Sequence, residues 1–499
     1  MRTTTERWTL AISVALFLLA IAVGAELARP FGAASIAFDT QVSALHFARI
    51  VDGEHLERFV TTTPKPLMTL VAGLPYALTG DWRPIAWATI LAFALGVSLC
   101  GWLAGRLAGP VAAAFAGLAV LAGPEMLTDV GLALATPWAL VGWAGAGVAV
   151  ASRSHPRYGL AGAALLFATL ARVETLVIVG VVVVVLVGAA IARRPAPRRA
   201  WLVPAIALLA LPVMALHDWL LTGDPLMWTQ PSAVYSQNAG DNVLSPWEVV
   251  VLLLGHYAVQ AAMVLLALVG VVRLALARRW AIVVGLVALG PGIAAFLVLL
   301  AVRGVFVTGR YAAPIDVAVA VASGVGFAVL WLRAIRRLAR TSGSDWLDRH
   351  NRVVRVAAAV VVAVALAWPL GPLDLDLRRA IRSSVTAAAE ADRAIPALRE
   401  AIAADPAGIS EILVPTSVLP RLALALDRPL TSMVGTDSVS REGLEGLLAP
   451  GQLVLHIPRA ERQSDLMEPL QTTVPTTIGP VTVTPLWTDG SGAWLVSTE

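Results

Sequence analysis

The sequence predicts an all-α polytopic membrane protein with about eleven transmembrane helices and a small C-terminal extracytoplasmic α/β domain. Of the 499 residues, 58% are hydrophobic and only 14% are charged, whereas soluble proteins have about 25% charged residues. The apolar residues form long runs, and short arginine-rich stretches separate these runs. After about Leu373, charged residues become frequent, and short β-like runs alternate with helical ones.

The apolar runs are long enough, or nearly so, to cross a bilayer core of about 30 Å as helices. The predicted spans are 8–28, 83–104, 110–123, 131–151, 158–172, 174–192, 200–221, 248–272, 280–302, 311–332 and 355–371. Two of them, 110–123 and 158–172, are too short to span alone, so we expect them to be buried among other helices. The first run is longer than the apolar core of a signal peptide, which predicts an uncleaved helix.

With eleven spans, every arginine cluster between spans falls on one side of the membrane. The positive-inside rule assigns that side to the cytoplasm. We therefore predict an inner (plasma) membrane protein with a cytoplasmic N-terminus and an extracytoplasmic C-terminal domain. The loops that then face outward are 29–82, 124–130, 222–247 and 303–310, together with the turn at 172–174.

The chain is predicted to divide into a transmembrane domain, 1–372, and an α/β domain, 373–499. The outer loop 29–82 belongs to the first domain and is predicted to carry surface helices at 40–51 and 67–78. In the second domain, helices are predicted at 376–403, 417–426 and 440–448. Strands are predicted at 411–414, 453–457, 481–483 and 494–496.

Composition also excludes several kinds of site. The only cysteine, Cys100, lies in an apolar run, so neither an intrachain disulfide nor a cysteine zinc site is expected. Because no continuous basic face is present, nucleic acid is not an expected partner. Neither a glycine-rich phosphate loop nor an HExxH motif occurs, which argues against nucleotide-driven transport.

Asp39 is the first candidate for chemistry, near the start of the first outer loop. Apolar residues precede it, and such surroundings raise the pKa of a carboxyl group toward that of a useful general base. The alternative is a helix N-cap, because Asp39 immediately precedes the helical pattern of 40–51 and aspartate is favoured at that position. The two roles are not exclusive.

Two cations at the outer edge are candidates for binding a lipid phosphate. Lys65 lies between Pro64 and Pro66, which stiffen the backbone and hold the ammonium group in place. Arg310, beside Tyr311 at the start of the tenth span, has the geometry for two parallel hydrogen bonds to a phosphate. The alternative for both cations is anchoring at the membrane interface.

Other outer residues are candidates for a cavity or an acceptor site. Glu125 and Asp129 form a second acidic site, which suits an acceptor or a divalent metal, or is simply solvated. Arg172 and Glu174 interrupt apolar sequence, where ionisable residues are costly and usually paired or functional. On one helix, these two could not face each other, so they are expected to pair with other elements or to flank a turn. His217 and its neighbours are predicted to be interfacial anchors.

Several motifs resemble the integral-membrane glycosyltransferases of the GT-C fold, in particular the protein O-mannosyltransferase-like and lipid A aminoarabinose transferase-like family. The motifs, in chain order, are Phe38-Asp39-Thr40-Gln41, Ala48–Gly53, Pro64-Lys65-Pro66-Leu67, Gly73–Asp81, Leu170-Ala171-Arg172-Val173-Glu174 and Gly309-Arg310-Tyr311-Ala312-Ala313-Pro314. The resemblance covers about 8–332. The chain departs from the family at Thr40, where many relatives carry a second acidic residue.

The resemblance implies a GT-C-like helical bundle and transfer of a sugar, a hexose or a pentose, from a polyprenyl-phosphate donor. Inversion at the anomeric carbon is implied, and the acceptor is expected to be a cell-envelope glycan, lipid or protein. By position, Asp39 is the general base, and Lys65 and Arg310 hold the donor phosphate. The remaining candidates would shape the cavity or bind the acceptor; they are Glu125, Asp129, Arg172, Glu174 and Tyr311.

Two other function classes stay open. A flippase or transporter of a lipid or lipid-linked sugar predicts ionisable residues along a path through the bilayer, whereas here most of them lie at the outer edge. A non-catalytic scaffold predicts an open groove without convergent polar groups. An outward-facing cavity with Asp39 and Lys65 on its wall would favour the transferase.

Overall fold

The structure is a computed structural model, and it describes most of the helical part and much of the C-terminal part. The described residues are 4–28, 36–56, 65–152, 155–193, 197–227, 244–305, 307, 309–342, 375–404, 409–415, 418–429, 432–435, 448–456, 475–478, 481–487 and 492–498. The predicted eleventh span, 355–371, and the predicted domain boundary at 372 lie outside them. Most of the predicted helix at 440–448 lies outside them as well.

Long helices dominate the first part of the chain. Within the described residues they are α1 (Thr4–Ala28), α2 (Phe38–Asp52), α3 (Pro66–Thr79), α4 (Arg83–Ala108), α5 (Pro110–Leu121), α6 (Pro124–Gly131), α7 (Thr136–Val150), α8 (Tyr158–Ala171), α9 (Thr175–Ile191), α10 (Leu202–Ala207), α11 (Ala210–Thr222), α12 (Pro246–Val259), α13 (Ala261–Leu276), α14 (Trp280–Val287), α15 (Ile293–Val302) and α16 (Ala313–Ser342). Proline lies in the first turn of α3 to α7 and of α12. Its missing N–H has no helical partner at that position, so proline explains where these helices begin.

Five helical segments of the described part are long and apolar enough to cross a membrane. They are Thr4–Ala28, Arg83–Ala108, Arg198–Thr222, Trp280–Val302 and Ala313–Ile335. The number rises to seven if each of two bent helix pairs counts as one span. The predicted spans at α7, α8 and α9 form helices of about 21–26 Å, which is shorter than a bilayer core of about 30 Å. The described residues therefore do not confirm the number eleven.

The two bent pairs correct the predicted layout. The stretch 124–130, predicted to be a loop, is the helix α6, which follows α5 after a bend of 59°. Ala122 is the C-cap of the first helix and Gly123 is the N-cap of the second, which Pro124 begins. Only two residues therefore separate the helices. The single span predicted at 248–272 is two helices, α12 and α13, that meet at 89° around Gln260. The side chain of Gln260 lies 3.2 Å from the ring of His256, and its backbone is not helical.

Close packing of α13 on α16 depends on two glycines. A Cβ on Gly270 would lie 1.9 Å from the main-chain oxygen of Ala322, and one on Gly326 would lie 1.9 Å from that of Leu266. No side chain fits in either place. Small residues let two helix backbones approach where the surrounding lipid supplies no hydrophobic driving force.

The residues described in the C-terminal part form a mixed six-stranded sheet and two helices. These helices are α17 (Leu375–Ala404) and α18 (Leu419–Leu426). The strands are β1 (Glu411–Val414), β2 (Met433–Gly435), β3 (Gln452–His456), β4 (Thr476–Ile478), β5 (Val481–Trp487) and β6 (Gly492–Thr498). Their spatial order is β2-β1-β3-β6-β5-β4. Strand β1 is parallel to both β2 and β3, and the other pairs are antiparallel.

The sheet region packs directly on the first loop helices. Leu45 of α2 belongs to the same buried cluster as Ala391 and Leu398 of α17. Arg421 of α18 is only 1% exposed; its guanidinium carbon lies 5.3 Å from the centre of the Trp82 ring. The helix that carries Asp39 is therefore held between the helical bundle and the sheet region.

Candidate active site

Asp39 and Lys65 form an ion pair where two loop helices begin. Asp39 lies in the first turn of α2, and Lys65 is the N-cap residue of α3. The Nζ atom of Lys65 lies 3.3 Å from Oδ2 of Asp39, and the two side chains are 19% and 23% exposed. A carboxylate in the first turn of a helix is favoured by the helix dipole. The pair is thus sheltered but still reachable by a ligand.

The N-cap interpretation of Asp39 is wrong, because α2 begins earlier than predicted. Ala37 is the N-cap, and its N–H donates to the carbonyl of Leu132 at 2.9 Å. The hydroxyl of Thr40 donates to the carbonyl of Ala133 at 2.8 Å. These two bonds tie the start of α2 to the turn between α6 and α7, and that turn therefore positions Asp39.

Arg172 is the centre of a second polar cluster. It donates to Glu174 (Nη2–Oε1 3.2 Å) and to the hydroxyl of Thr136. Its Nη1 lies 3.8 Å from Oδ2 of Asp129, and its guanidinium carbon lies 5.4 Å from the ring centre of Tyr311. Asp129 is fully buried and Arg172 is 8% exposed. Four of the predicted cavity residues, all except Glu125, therefore lie together.

The pairing of Arg172 with Glu174 agrees with the expectation that these residues flank a turn. Helix α8 ends at Ala171 and α9 begins at Thr175, so the two residues lie in a turn and can face each other. Burial raises the pKa of Glu174, but the charge and hydrogen bond of Arg172 together outweigh it and leave the pKa below its ordinary value. The charge of Lys65 adds to this lowering, so the second cluster lies within Coulombic reach of the Asp39–Lys65 pair.

A buried histidine pair lies near the start of α3, and one member, His217, contacts the helical turn that follows Lys65. The sequence did not predict this pair. The Nε2 atom of His217 lies 2.9 Å from the hydroxyl oxygen of Thr69. Its Nδ1 atom lies 3.2 Å from Oδ1 of Asp218. The N–H of Thr69 donates to the carbonyl of Lys65 at 2.9 Å. His217 and Asp218 are 7% and 1% exposed, so the prediction that they are interfacial anchors is wrong. They hold the first turn of α3, which carries Lys65.

His46 is the second member of this pair. Its ring centre lies 6.2 Å from that of His217, and the side chain is 1% exposed. Within the described part of the chain, its Nε2 atom has no hydrogen-bond partner. One signal in the sequence could have found it, because His46 follows Asp39 by seven residues and so lies on the same face of α2.

Acidification from pH 7 to pH 5 is expected to destabilise the protein through His46 by about 2 kcal/mol. Burial, with the charges of His217 and Lys65, lowers the pKa of His46 from 6.5 to about 3. In this range the unfolded chain binds a proton that the folded chain does not, so stability falls as the pH falls below 6.5. Thermal unfolding at both pH values measures the effect.

The matched variants for this test are His46→Asn and His55→Asn, since His55 is exposed. Between pH 7 and pH 5, the free energy of unfolding of His46→Asn should fall by about 2 kcal/mol less than that of the wild type. The free energy of unfolding of His55→Asn should fall as much as that of the wild type. An equal pH dependence in His46→Asn and the wild type would show that His46 takes up its proton in the folded state.

The two remaining predicted residues are Glu125 and Arg310, and neither belongs to the described contacts of Arg172. Glu125 is half-buried in the first turn of α6, within Coulombic reach of His256. His256 and Tyr257 both contact Oδ1 of Asp316, at 3.0 and 2.9 Å. The backbone of Arg310 forms part of a short 3-10 helix, Gly309–Ala312, but its side chain lies outside the described part of the structure.

The predicted alternative of a divalent metal finds no site in the described ranges. No group of three or more histidine, cysteine, aspartate or glutamate side chains lies close enough together there to hold a metal ion. The positive charge next to Asp129 comes from Arg172 instead.

Comparison with known proteins finds similarity in structure but not in sequence. No protein-family model matches the chain, and no curated protein matches its sequence. ArnT from Cupriavidus metallidurans bound to undecaprenyl phosphate superimposes with a TM-score of 0.53 at 16% identity, covering 96% of this chain and 97% of ArnT. The archaeal oligosaccharyltransferase AglB from Archaeoglobus fulgidus, in complex with an inhibitory peptide and a dolichol-phosphate, gives a TM-score of 0.53 at 12% identity, covering 97% of this chain and 74% of AglB.

Both neighbours are membrane glycosyltransferases of the GT-C fold. The chain is therefore a multi-pass membrane protein, and it has the GT-C fold over almost its whole length. The resemblance that the sequence motifs predicted is confirmed at the level of the fold.

Proposed function

We propose that this chain is a membrane glycosyltransferase that transfers a sugar from a polyprenyl-phosphate donor to an extracytoplasmic acceptor, with inversion. The observation that carries the proposal is the partly exposed ion pair of Asp39 and Lys65, next to the buried Arg172 cluster. Two proteins of the same fold have been solved with undecaprenyl phosphate or a dolichol-phosphate, which supports a lipid-phosphate ligand here. The proposal includes the inner membrane as the location, with the N-terminus in the cytoplasm.

The basic residues of the chain single out Lys65. Of its 37 lysine and arginine residues, Lys65 is the only lysine. A residue that merely anchors a helix at the membrane surface works equally well as arginine, and this chain uses arginine everywhere else. An ammonium group is a compact charge on a flexible stem, which suits an exchange between a carboxylate and a phosphate. This usage supports a functional role over an anchoring one.

The proposed reaction begins when the Lys65 ammonium moves from Asp39 to the donor phosphate, where Arg310 joins it. The carboxylate of Asp39 then takes the proton of the acceptor hydroxyl as that oxygen attacks the anomeric carbon. The bond between the anomeric carbon and the phosphate oxygen breaks on the opposite side, which inverts the configuration. The polyprenyl phosphate leaves with the bonding electrons, and the two cations stabilise its developing charge.

The transporter alternative has weaker support. A cavity of about 520 Å³ lies inside the helical bundle, but neither Asp39 nor Lys65 lines it, and its walls are mostly apolar. A path for a charged substrate requires ionisable or polar groups along its length. The polar clusters described above lie instead around the first turns of α2 and α3, the turn before α9 and the first turn of α16.

A release assay tests the proposal. The purified chain in proteoliposomes is given undecaprenyl phosphate linked to a labelled hexose or pentose, together with a cell-envelope extract as acceptor. We expect free undecaprenyl phosphate to appear only when the chain and the extract are both present. Movement of the intact donor across the bilayer without release would support the transporter and contradict the proposal.

Replacing Lys65 with alanine is expected to weaken the binding of undecaprenyl phosphate about ten- to a hundredfold. The estimate follows from the value of one hydrogen bond to a charged group, about 1.5–3 kcal/mol. Titration of undecaprenyl phosphate into the purified chain measures it. Lys65→Arg should keep most of the affinity, and Arg83→Ala, at a residue whose side chain is 71% exposed, should keep all of it.

The single lysine allows a second measurement on the unaltered protein. An amine-reactive reagent can modify only the Lys65 side chain and the N-terminal amine. Bound undecaprenyl phosphate should protect Lys65 and leave the N-terminus reactive. Equal modification with and without the lipid, or unchanged affinity in Lys65→Ala, would remove Lys65 from the phosphate site.

A further inference from the structure

The cavity inside the bundle has the properties of a site for a hydrocarbon chain. Its volume of about 520 Å³ falls in the range of about 300–1,000 Å³ that is usual for ligand pockets. Its walls are aliphatic and aromatic, with Leu103, Trp143, Leu165, Ile178, Leu286 and Val321 among them. A cavity with such walls has few partners for water and favours an apolar occupant.

The rim of the cavity is basic. Arg278 and Arg279 line it, and so do Pro156, Tyr158 and Pro197. Two further arginines are adjacent in sequence to these lining residues, Arg157 and Arg198. The N–H of the Arg279 side chain donates to the carbonyl of Ala151 at 2.8 Å, which fixes the rim against the end of α7.

Acidic residues do not balance this charge. The stretches 140–171, 175–217 and 261–302, which carry the rim arginines and most of the walls, contain no aspartate or glutamate. Arg278 is exposed and Arg279 is half-buried. The cavity thus combines an apolar interior with a positive mouth, at the end of the helices that carries the basic loops.

We propose that this cavity binds one acyl chain of an anionic phospholipid, with the lipid phosphate against Arg278 and the neighbouring arginines. A zwitterionic headgroup would bring its own cation to the basic rim, whereas an anionic one would not. Each arginine near an anionic lipid surface is worth about fivefold in affinity. The site is separate from the Asp39–Lys65 pair, and the proposal does not depend on the enzymatic function.

Gly285 provides a precise way to fill the cavity. It lines the cavity, and a Cβ added there would meet no atom within 4 Å. The variant Gly285→Leu should therefore fold normally and occupy the space of the lipid chain. Gly255 of α12 also has open space around an added Cβ but does not line the cavity, so Gly255→Leu is the matched control.

The experiment is native mass spectrometry of the purified full chain with added dioleoyl phosphatidylglycerol, dioleoyl phosphatidylcholine or undecaprenyl phosphate. We expect one phosphatidylglycerol to be retained in preference to phosphatidylcholine. Gly285→Leu should lower that retention at least tenfold, because each methylene group displaced is worth about fourfold in affinity. Arg278→Gln should lower it about fivefold. Arg273→Gln should not change it, because Arg273 is an exposed residue of the preceding helix α13 and does not line the cavity.

Three results would overturn the proposal. Equal retention of the two phospholipids would show that the basic rim does not select charge. Normal retention in Gly285→Leu would place the lipid elsewhere. Displacement of phosphatidylglycerol by an equal amount of undecaprenyl phosphate would assign the cavity to a polyprenyl chain.

Discussion

Replacing Asp39 with asparagine is expected to reduce sugar transfer about 10²–10⁴-fold, the usual contribution of a general base. Asparagine has nearly the same shape as aspartate, so the first turn of α2 should keep its contacts with the turn between α6 and α7. Its amide cannot take the proton of the acceptor hydroxyl. The initial rate of transfer from a labelled polyprenyl-phosphate sugar, measured in proteoliposomes, gives the effect.

The binding of undecaprenyl phosphate separates this role from a structural one. Because Lys65 pairs with Asp39 in the free protein, Asp39→Asn should bind the lipid phosphate at least as tightly as the wild type does. A damaged site would bind it more weakly. The control is Asp52→Asn, since Asp52 is an exposed residue in the last turn of the same helix. Near-normal transfer by Asp39→Asn would remove this carboxylate from the mechanism.

Replacing Arg172 with glutamine is expected to destabilise the protein by about 3–5 kcal/mol. The arginine is the cation next to two acids, one fully buried at Asp129 and the other 16% exposed at Glu174. Glutamine is neutral, so both carboxylates lose the positive charge of Arg172 at a site where water cannot replace that charge. Thermal unfolding in detergent, compared with the exposed control Arg106→Gln, measures the loss.

A rescue variant shows whether charge causes this loss. Adding Asp129→Asn and Glu174→Gln to Arg172→Gln removes the two carboxylates together with the cation. Most of the lost stability should return, because a neutral buried cluster costs less than an unpaired buried charge. If the triple variant is no more stable than Arg172→Gln, the loss comes from packing around Thr136 and Tyr311 instead.

The positions of the helices could be predicted because continuous apolar sequence directly reflects lipid or core contact. Their shapes could not. The run 248–272 has no proline to mark its 89° bend, and the polar residues His256 and Gln260 are too few to divide its apolar pattern. Helix α6 was predicted to be a loop because the polar residues Glu125 and Asp129 interrupt the apolar sequence there.

The candidate site was predictable where one residue carried a recognisable chemical pattern. Lys65 between two prolines and Asp39 near the start of a loop were both visible, although their contact depends on how α3 packs beside α2. The histidines His46 and His217 were not visible as a pair, because they are far apart in the chain and meet only through tertiary packing. That Lys65 is the only lysine in the sequence can be read from the composition alone, and it supports a functional role without any structure.

The contact between Leu45 and the cluster around Ala391 and Leu398 constrains how the protein is made. Helix α2 leaves the ribosome early, but the residues of α17 that pack with Leu45 are synthesised about 340 residues later. At about 5–20 residues per second, the interval is roughly twenty to seventy seconds. During that time the helix that carries Asp39 lacks part of its packing. The candidate site around Asp39 therefore gains this packing only after about four-fifths of the chain has been synthesised, so a half-made chain in the membrane does not yet have the complete site.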